Sequence, residues 1–244
     1  MRAACVLVAA ALAGCGSAST AAPTSEPSDE GVSGGESTAP SEPVGDEASR
    51  EDENDEDDAD AVSTNPGDHP PEVRALARAF EERLTVSRRR DGTPVLARRC
   101  REGPVDCRAR LLVFAAMIRE TAARHDVDPF LIAALAIRES GLDPSALGRR
   151  NEAGIVQLHP RGAGRDMRYV QDAAYRDRCQ TRIDACQGPV LERGVSTLAT
   201  AIAECGGLIA GLGAYATGHC TRRARHPRRV LQERDRLRRL ARGR

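Results

Sequence analysis

The 244-residue chain has no tryptophan and no lysine, and only three phenylalanines and three tyrosines. Aromatic side chains usually carry much of a core's buried area. With aromatics at 2%, this core must instead be built from Ala, Leu, Ile and Val. Long hydrophobic runs are missing as well. The longest, near the N-terminus, covers about ten residues, against roughly 20 for a membrane-spanning helix. There is no C-x2-C pair, no H-E-x-x-H and no phosphate-binding loop, and His69, His125, His159, His219 and His226 are scattered. Those absences exclude the zinc and nucleotide sites that a sequence can announce, so no metal and no cofactor is expected.

What is present starts at the N-terminus. In "MRAACVLVAAALAGCGS" one arginine precedes the short apolar run, the layout of a signal peptide over residues 1–14. The run ends in Leu12-Ala13-Gly14-Cys15, which resembles the lipobox of bacterial lipoproteins. That resemblance implies cleavage before Cys15, lipidation of Cys15 and attachment to a membrane through acyl chains. Gly16 after the cysteine points to the outer membrane, and so to a periplasmic, lipid-anchored protein.

Residues 15–70 are mostly Ser, Glu, Asp, Pro, Gly and Ala and include the acidic block EDENDEDDAD. Such a stretch buries too little apolar surface to offset its chain entropy, so it reads as a disordered tether reaching about 40 Å or more. The remaining 71–244 suffice for one folded domain. The net charge of zero hides an asymmetry. Residues 1–70 hold 16 of the 36 acids and 2 of the 36 arginines, leaving 34 arginines against 20 acids, a formal +14, in residues 71–244. A basic domain is drawn to anionic polymers in general. The complete replacement of lysine by arginine makes that charge a weak guide to any one of them.

Six cysteines lie in the folded part: Cys100, Cys107, Cys179, Cys186, Cys205 and Cys220. An even number in an exported chain reads as disulfides. Fifteen pairings are possible, and the local one, Cys100–Cys107, Cys179–Cys186 and Cys205–Cys220, is favoured.

Helical periodicity dominates the domain. "PPEVRALARAFEERL" has proline in its first turn and Val73, Leu76, Ala77 and Phe80 at three-to-four spacing. "DCRARLLVFAAMIRETAARHD" repeats the pattern. "DPFLIAALAIRES" has Asp128 as cap, Pro129 in the first turn and Gly141 to stop it. "GPVLERGVSTLATAIAEC", "GLIAGLGAYATG" and "HPRRVLQERDRLRRLAR" complete the helical set, with a glycine-rich irregular stretch over 148–168. No alternating strand run stands out, so the class is mainly α.

Glu139 follows Leu135 by four residues, Ile132 by seven and Leu131 by eight, which puts its carboxyl on an apolar helix face. Desolvation there favours the protonated form, as a general acid near neutral pH requires. A surface glutamate paired with one of the many arginines is the plainer alternative. The surroundings decide between them. "HDVDPFLIAALAIRESGLDPSA", "AGIVQLHP" and "LGAYATG" resemble the lytic transglycosylases of the soluble-lytic-transglycosylase (SLT) type, whose domain is a lysozyme-like, goose-type-lysozyme-related helical fold. The carriers are Glu139-Ser140, then Gly154 to Pro160 around Gln157, then Ala214 to Gly218 around Tyr215.

The resemblance implies an enzyme that cleaves the β-1,4 bond between N-acetylmuramic acid and N-acetylglucosamine without water, leaving a 1,6-anhydro end. It also implies Glu139 as sole acid and base, with Ser140, Gly154, Gln157, His159 and Tyr215 on the glycan; for Ser140, fixing the helix end is the alternative. Four positions depart from the family pattern: Gly148 where serine is common, His159 for methionine, Ala216 for asparagine and Val190 for asparagine. A hydrolytic lysozyme using Glu152 or Asp143 is one rival, and a catalytically weakened glycan-binding or structural lipoprotein is another. Peptidoglycan strands and the membrane are the expected partners. The arginines of residues 228–242 are read as the solvated face of a helix packed through Val230, Leu231, Leu237 and Leu240, so nucleic acid is not expected.

Overall fold

The computed structural model describes residues 62–101 and 104–243. The signal peptide, Cys15 and most of the expected tether lie outside the described residues. The chain is already engaged at Val62, inside the stretch read as tether. Its amide donates to Asp184 at 2.9 Å, and Asn65 caps a 3-10 turn over Pro66–Asp68.

Helix α1, Pro71–Leu84, buries Val73, Leu76, Ala79 and Phe80, the stripe its periodicity marks. An antiparallel hairpin follows, β1 (Thr85–Arg88) and β2 (Pro94–Leu96), pairing Thr85 with Leu96, Ser87 with Val95 and Arg88 with Pro94. Sequence reading overlooked this hairpin because its strands are too short to alternate visibly. The available signal was Asp91-Gly92 between β-branched residues. Gly92 takes φ 82°, and Asp91 accepts a bond from the Thr93 amide at 2.9 Å.

The short α2 (Arg98–Arg101) leads to α3, Cys107–Arg124, capped by Asp106. Next comes α4, Pro129–Glu139, capped by Asp128. Leu131 through Ile137 are all buried, so α4 is apolar on every side and runs through the core rather than along its edge. Short helices α5 (Arg168–Gln171) and α6 (Ala173–Arg178) precede the long α7, Ile183–Glu204. The reading placed the start of α7 at Gly188-Pro189, since proline suits a first turn. The helix instead begins earlier and carries Pro189 inside it. Buried Ile183, Cys186 and Gln187 hold the added turn to the core, and Cys186 is joined to Cys179 just before it.

Helices α8 (Leu208–Thr217) and α9 (Arg225–Ala241) close the fold. Helix α3 packs on α1, α4 and α7, α8 packs on α7, and α9 packs on α4, α1 and α8. Phe80, Phe114, Ile132, Leu135, Leu191 and Leu198 are among the fully buried side chains, so an aliphatic core with two of the three phenylalanines suffices.

Helix α9 lies antiparallel to α4 and is pinned at its far end. The Arg238 guanidinium donates to Asp128 at 2.7 Å, while the other Asp128 oxygen caps α4 through the Phe130 amide at 3.1 Å. Arg83 of α1 reaches Glu233, buried on α9, with contacts of 2.5 and 3.2 Å. Val230 and Leu237 are fully buried, as the packed reading of this helix requires.

The cysteines pair locally, Cys100–Cys107, Cys179–Cys186 and Cys205–Cys220, with Cα separations of 5.3, 5.7 and 5.4 Å. The last bridge brackets α8. Its two cysteines are 15 residues apart, so replacing both with alanine should lower the unfolding free energy by about 3 kcal/mol. Urea denaturation of the oxidised domain measures this; a loss below about 0.5 kcal/mol would show that α8 is held by packing alone.

Candidate active site

Glu139 is the last residue of α4, where the buried helix emerges. Its side chain keeps 21% of its exposure. Burial pushes the carboxyl up to about 7, the negative charge of Glu152 pushes the same way, and neighbouring Arg138 opposes both. The partial negative charge at a helix C-terminus works in the same direction as burial. The side chain is thus neither a frayed surface glutamate nor an arginine-paired one.

Tyr215 on α8 donates its hydroxyl to the Val156 carbonyl at 2.8 Å. Burial pushes its phenol up, and the Glu139 charge adds to that, so it stays a neutral donor at every relevant pH. The coupling puts Tyr215 within electrostatic reach of Glu139.

The irregular segment between α4 and α5 folds as two single-residue bridges, Leu147 with Ala153 and Ala153 with Leu158. Gln157 takes φ 51° and turns its amide back to donate to the Ala146 and Gly154 carbonyls at 2.9 and 3.0 Å. Its nitrogen is thereby engaged, and the side-chain carbonyl remains for a ligand. From α7, buried Gln187 accepts from the Ile155 amide at 3.0 Å, anchoring the segment from below.

Two expected substrate residues have other work. Ser140 is buried, with its hydroxyl 3.1 Å from the Ala136 carbonyl and 2.9 Å from that of Ile155. It fixes the helix end to the loop and does not face a sugar. Gly154 takes φ 81°, and a Cβ there would lie 2.5 Å from Val190 Cγ1. Glycine is needed at 154 for its approach to α7. The same contact accounts for one departure from the family pattern, since Val190, standing for asparagine, packs on that glycine.

Gln157, His159 and Tyr215 come together around one cavity of about 420 Å³, which Arg150, Thr197 and Gly218 also line. Glu139 lies outside that lining and acts on it only electrostatically, through its charge on Tyr215. His159 accepts from the Arg161 amide at 3.1 Å. At Gly148, another departure, a Cβ would overlap the Glu152 carboxylate and sit 2.9 Å from Gln157 Oε1. Glu152 therefore occupies the space that a serine side chain would need. Its own carboxylate accepts from the Arg150 amide at 2.9 Å.

Sequence reading missed Gln187 and His226. His226 on α9 places Nε2 3.2 Å from Glu139 Oε1. Its only sequence signal is a histidine in the first turn of an otherwise arginine-rich helix, which does not reveal that this turn meets the end of α4. Among the described residues, no group of three His, Cys, Asp or Glu side chains converges on a metal-sized site.

Residues 116–234 match the family model of the transglycosylase SLT domain. A 90-residue stretch is 32% identical to membrane-bound lytic murein transglycosylase C of Actinobacillus pleuropneumoniae, equally in strains L20, JL03 and AP76. The aligned stretch covers 36% of this chain and 24% of each relative, so the chain spans about a quarter of the length of these curated relatives. No solved structure matches the chain with significance.

The raised Glu139 carboxyl has a consequence for stability. A carboxyl whose folded-state pKa exceeds its unfolded value contributes stability below the unfolded pKa and loses it as pH rises through the folded one. From 4.5 to about 7 this amounts to about 3 kcal/mol. Glu139→Gln should therefore gain about 3 kcal/mol over the wild type between about pH 4 and pH 8. Paired urea titrations at the two pH values check this. An unchanged difference would mean that the carboxyl is solvated.

Proposed function

We propose that the domain is a peptidoglycan lytic transglycosylase with Glu139 as its only acid and base. The observation that carries this reading is a carboxyl at the end of a buried helix, pushed up to about 7, within an SLT domain. Near neutral pH such a group is poised to give a proton and take one back.

Protonated Glu139 gives its proton to the oxygen bridging N-acetylmuramic acid and N-acetylglucosamine. The bond from that oxygen to the muramoyl anomeric carbon breaks, and an oxocarbenium-like centre develops. The Glu139 carboxylate then takes the proton of the muramoyl C6 hydroxyl, whose oxygen closes on the anomeric carbon. Glu139 ends protonated, water is not consumed, and the product is a 1,6-anhydro end. No second carboxylate is needed because the nucleophile is held in the same sugar at high effective molarity. Gln157, His159 and Tyr215, around one cavity, are the residues for the neighbouring sugars.

A lipidated Cys15 and a tether over the following residues would hold this domain at the periplasmic face of a membrane, probing peptidoglycan from its anchor. Three disulfides suit an oxidising compartment. The relatives' description as membrane-bound agrees with an anchor, and among the described residues no helix is long and apolar enough to cross a membrane.

A hydrolytic reading has one observation in its favour: Glu152 is close enough to raise the Glu139 pKa and could orient a water. The products separate the two. Purified domain on sacculi should release anhydro-muropeptides, and mass spectrometry finding reducing muramoyl ends instead would replace transglycosylation by hydrolysis. Glu139→Gln should lower the release rate by about 10²–10⁴ without changing the circular dichroism spectrum. Undiminished release would remove Glu139 from the chemistry.

A further inference from the structure

The mechanism above leaves a half-buried histidine beside Glu139 unused. His226 sits in the first turn of α9, directly before buried Pro227. Its Nε2 lies 3.2 Å from Glu139 Oε1 and, among the described residues, is buried without a well-aligned hydrogen bond to any group. The placement follows from the antiparallel packing of α9 on α4. With Arg238 on Asp128 at one end, the opposite end of α9 brings residue 226 to the C-terminus of α4.

Burial, then Arg138, then Arg229 push the His226 imidazole below its ordinary value, which favours the neutral ring beside Glu139. The charged and titratable groups acting on the pair are Arg138 on α4, Arg229 on α9, Glu152 in the loop and Tyr215 on α8. A neutral imidazole has one N–H and one bare nitrogen. With the proton on Nε2, it donates to Oε1 of the carboxylate once Glu139 has given up its own proton.

We propose that His226 is a positioning residue for Glu139, donating from Nε2 to Oε1 and leaving Oε2 to exchange protons with the glycan. This rests on Glu139 being the acid and base. The bond is made to the charged form of Glu139, so it strengthens as that charge develops in the transition state. The misalignment in the free protein agrees with this, because catalytic hydrogen bonds commonly tighten only when substrate is bound. It also gives the sign of a pH effect: a donor to the carboxylate holds the Glu139 pKa lower than burial alone would set it.

The test compares wild type with His226→Phe, which keeps the apolar bulk and removes the donor, and with His226→Gln, whose amide donates but does not titrate. Rates of anhydro-muropeptide release from soluble glycan strands are followed across pH. His226→Phe should lower kcat about tenfold with KM unchanged and move the alkaline limb of kcat up by about one pH unit. His226→Gln should recover kcat to within about threefold of wild type and restore the limb. A merely structural role would lower the thermal midpoint in both variants and leave the limb in place, and that result overturns the proposal. So does a wild-type profile for His226→Phe. Glu139→Gln run alongside separates the failures: if that variant is inactive and His226→Phe is unaltered, only the role of His226 falls, whereas an active Glu139→Gln removes the underlying reading.

Discussion

A single desolvated carboxyl at the mouth of a buried helix is the constraint on which this domain turns. Helix α4 is apolar on all sides from Leu131 to Ile137, and polarity returns only with Arg138, which is exposed, and Glu139, which is half-buried. Burial alone is enough to keep a proton on that carboxyl near neutral pH, and Glu152 and the helix terminus add to it. Arg138 acts in the other direction and does not prevail. An arginine-rich surface could easily have paired the glutamate and held it ionised; the fold turns those arginines elsewhere.

The frame around the carboxyl is assembled from separate devices. Asp128 and Arg238 fix the N-terminal end of α4 to α9, and Ser140 ties its C-terminal end to the loop at Ile155. Gln187 secures that loop from α7, Gly154 lets it lie close to Val190, and the Tyr215 hydroxyl holds it from α8 at Val156. Each bond satisfies a backbone or side-chain group that would otherwise be buried without a partner. Together they fix where Gln157 and Tyr215 stand relative to the helix end. Two of the four residues that depart from the family pattern, Val190 and Gly148, belong to this frame. Val190 fills against Gly154, and the bare Cα of Gly148 makes room for Glu152.

Much of this was legible in the sequence. Asp128-Pro129 and Gly141 bracket α4, and the periodicity of Val73, Leu76 and Phe80 marks the buried face of α1, because capping and amphipathicity are local properties. Glu139 and Tyr215 were legible through ordered motifs. The hairpin was missed because its signal is a two-residue turn rather than a period, and α7 was begun late because Pro189 reads as a start signal when its buried neighbours are not visible. For Ser140 and Gly154 the motif shows that a position matters without showing which way it faces, so Ser140 reads equally as a glycan contact or as a tie at the helix end. The contact of His226 with Glu139 could not be found at all: it arises from the register of two helices, with the two residues 87 positions apart in sequence. Non-local packing of that kind leaves no trace in local pattern.

The most direct test of the central claim is the ionisation of Glu139 itself, followed through the carbon resonance of its side-chain carboxyl in the free domain across pH. A midpoint of about 7 is the expected result. A midpoint near the ordinary 4.5 would mean that water reaches the carboxyl freely and that a desolvated acid is not what this fold was built to hold.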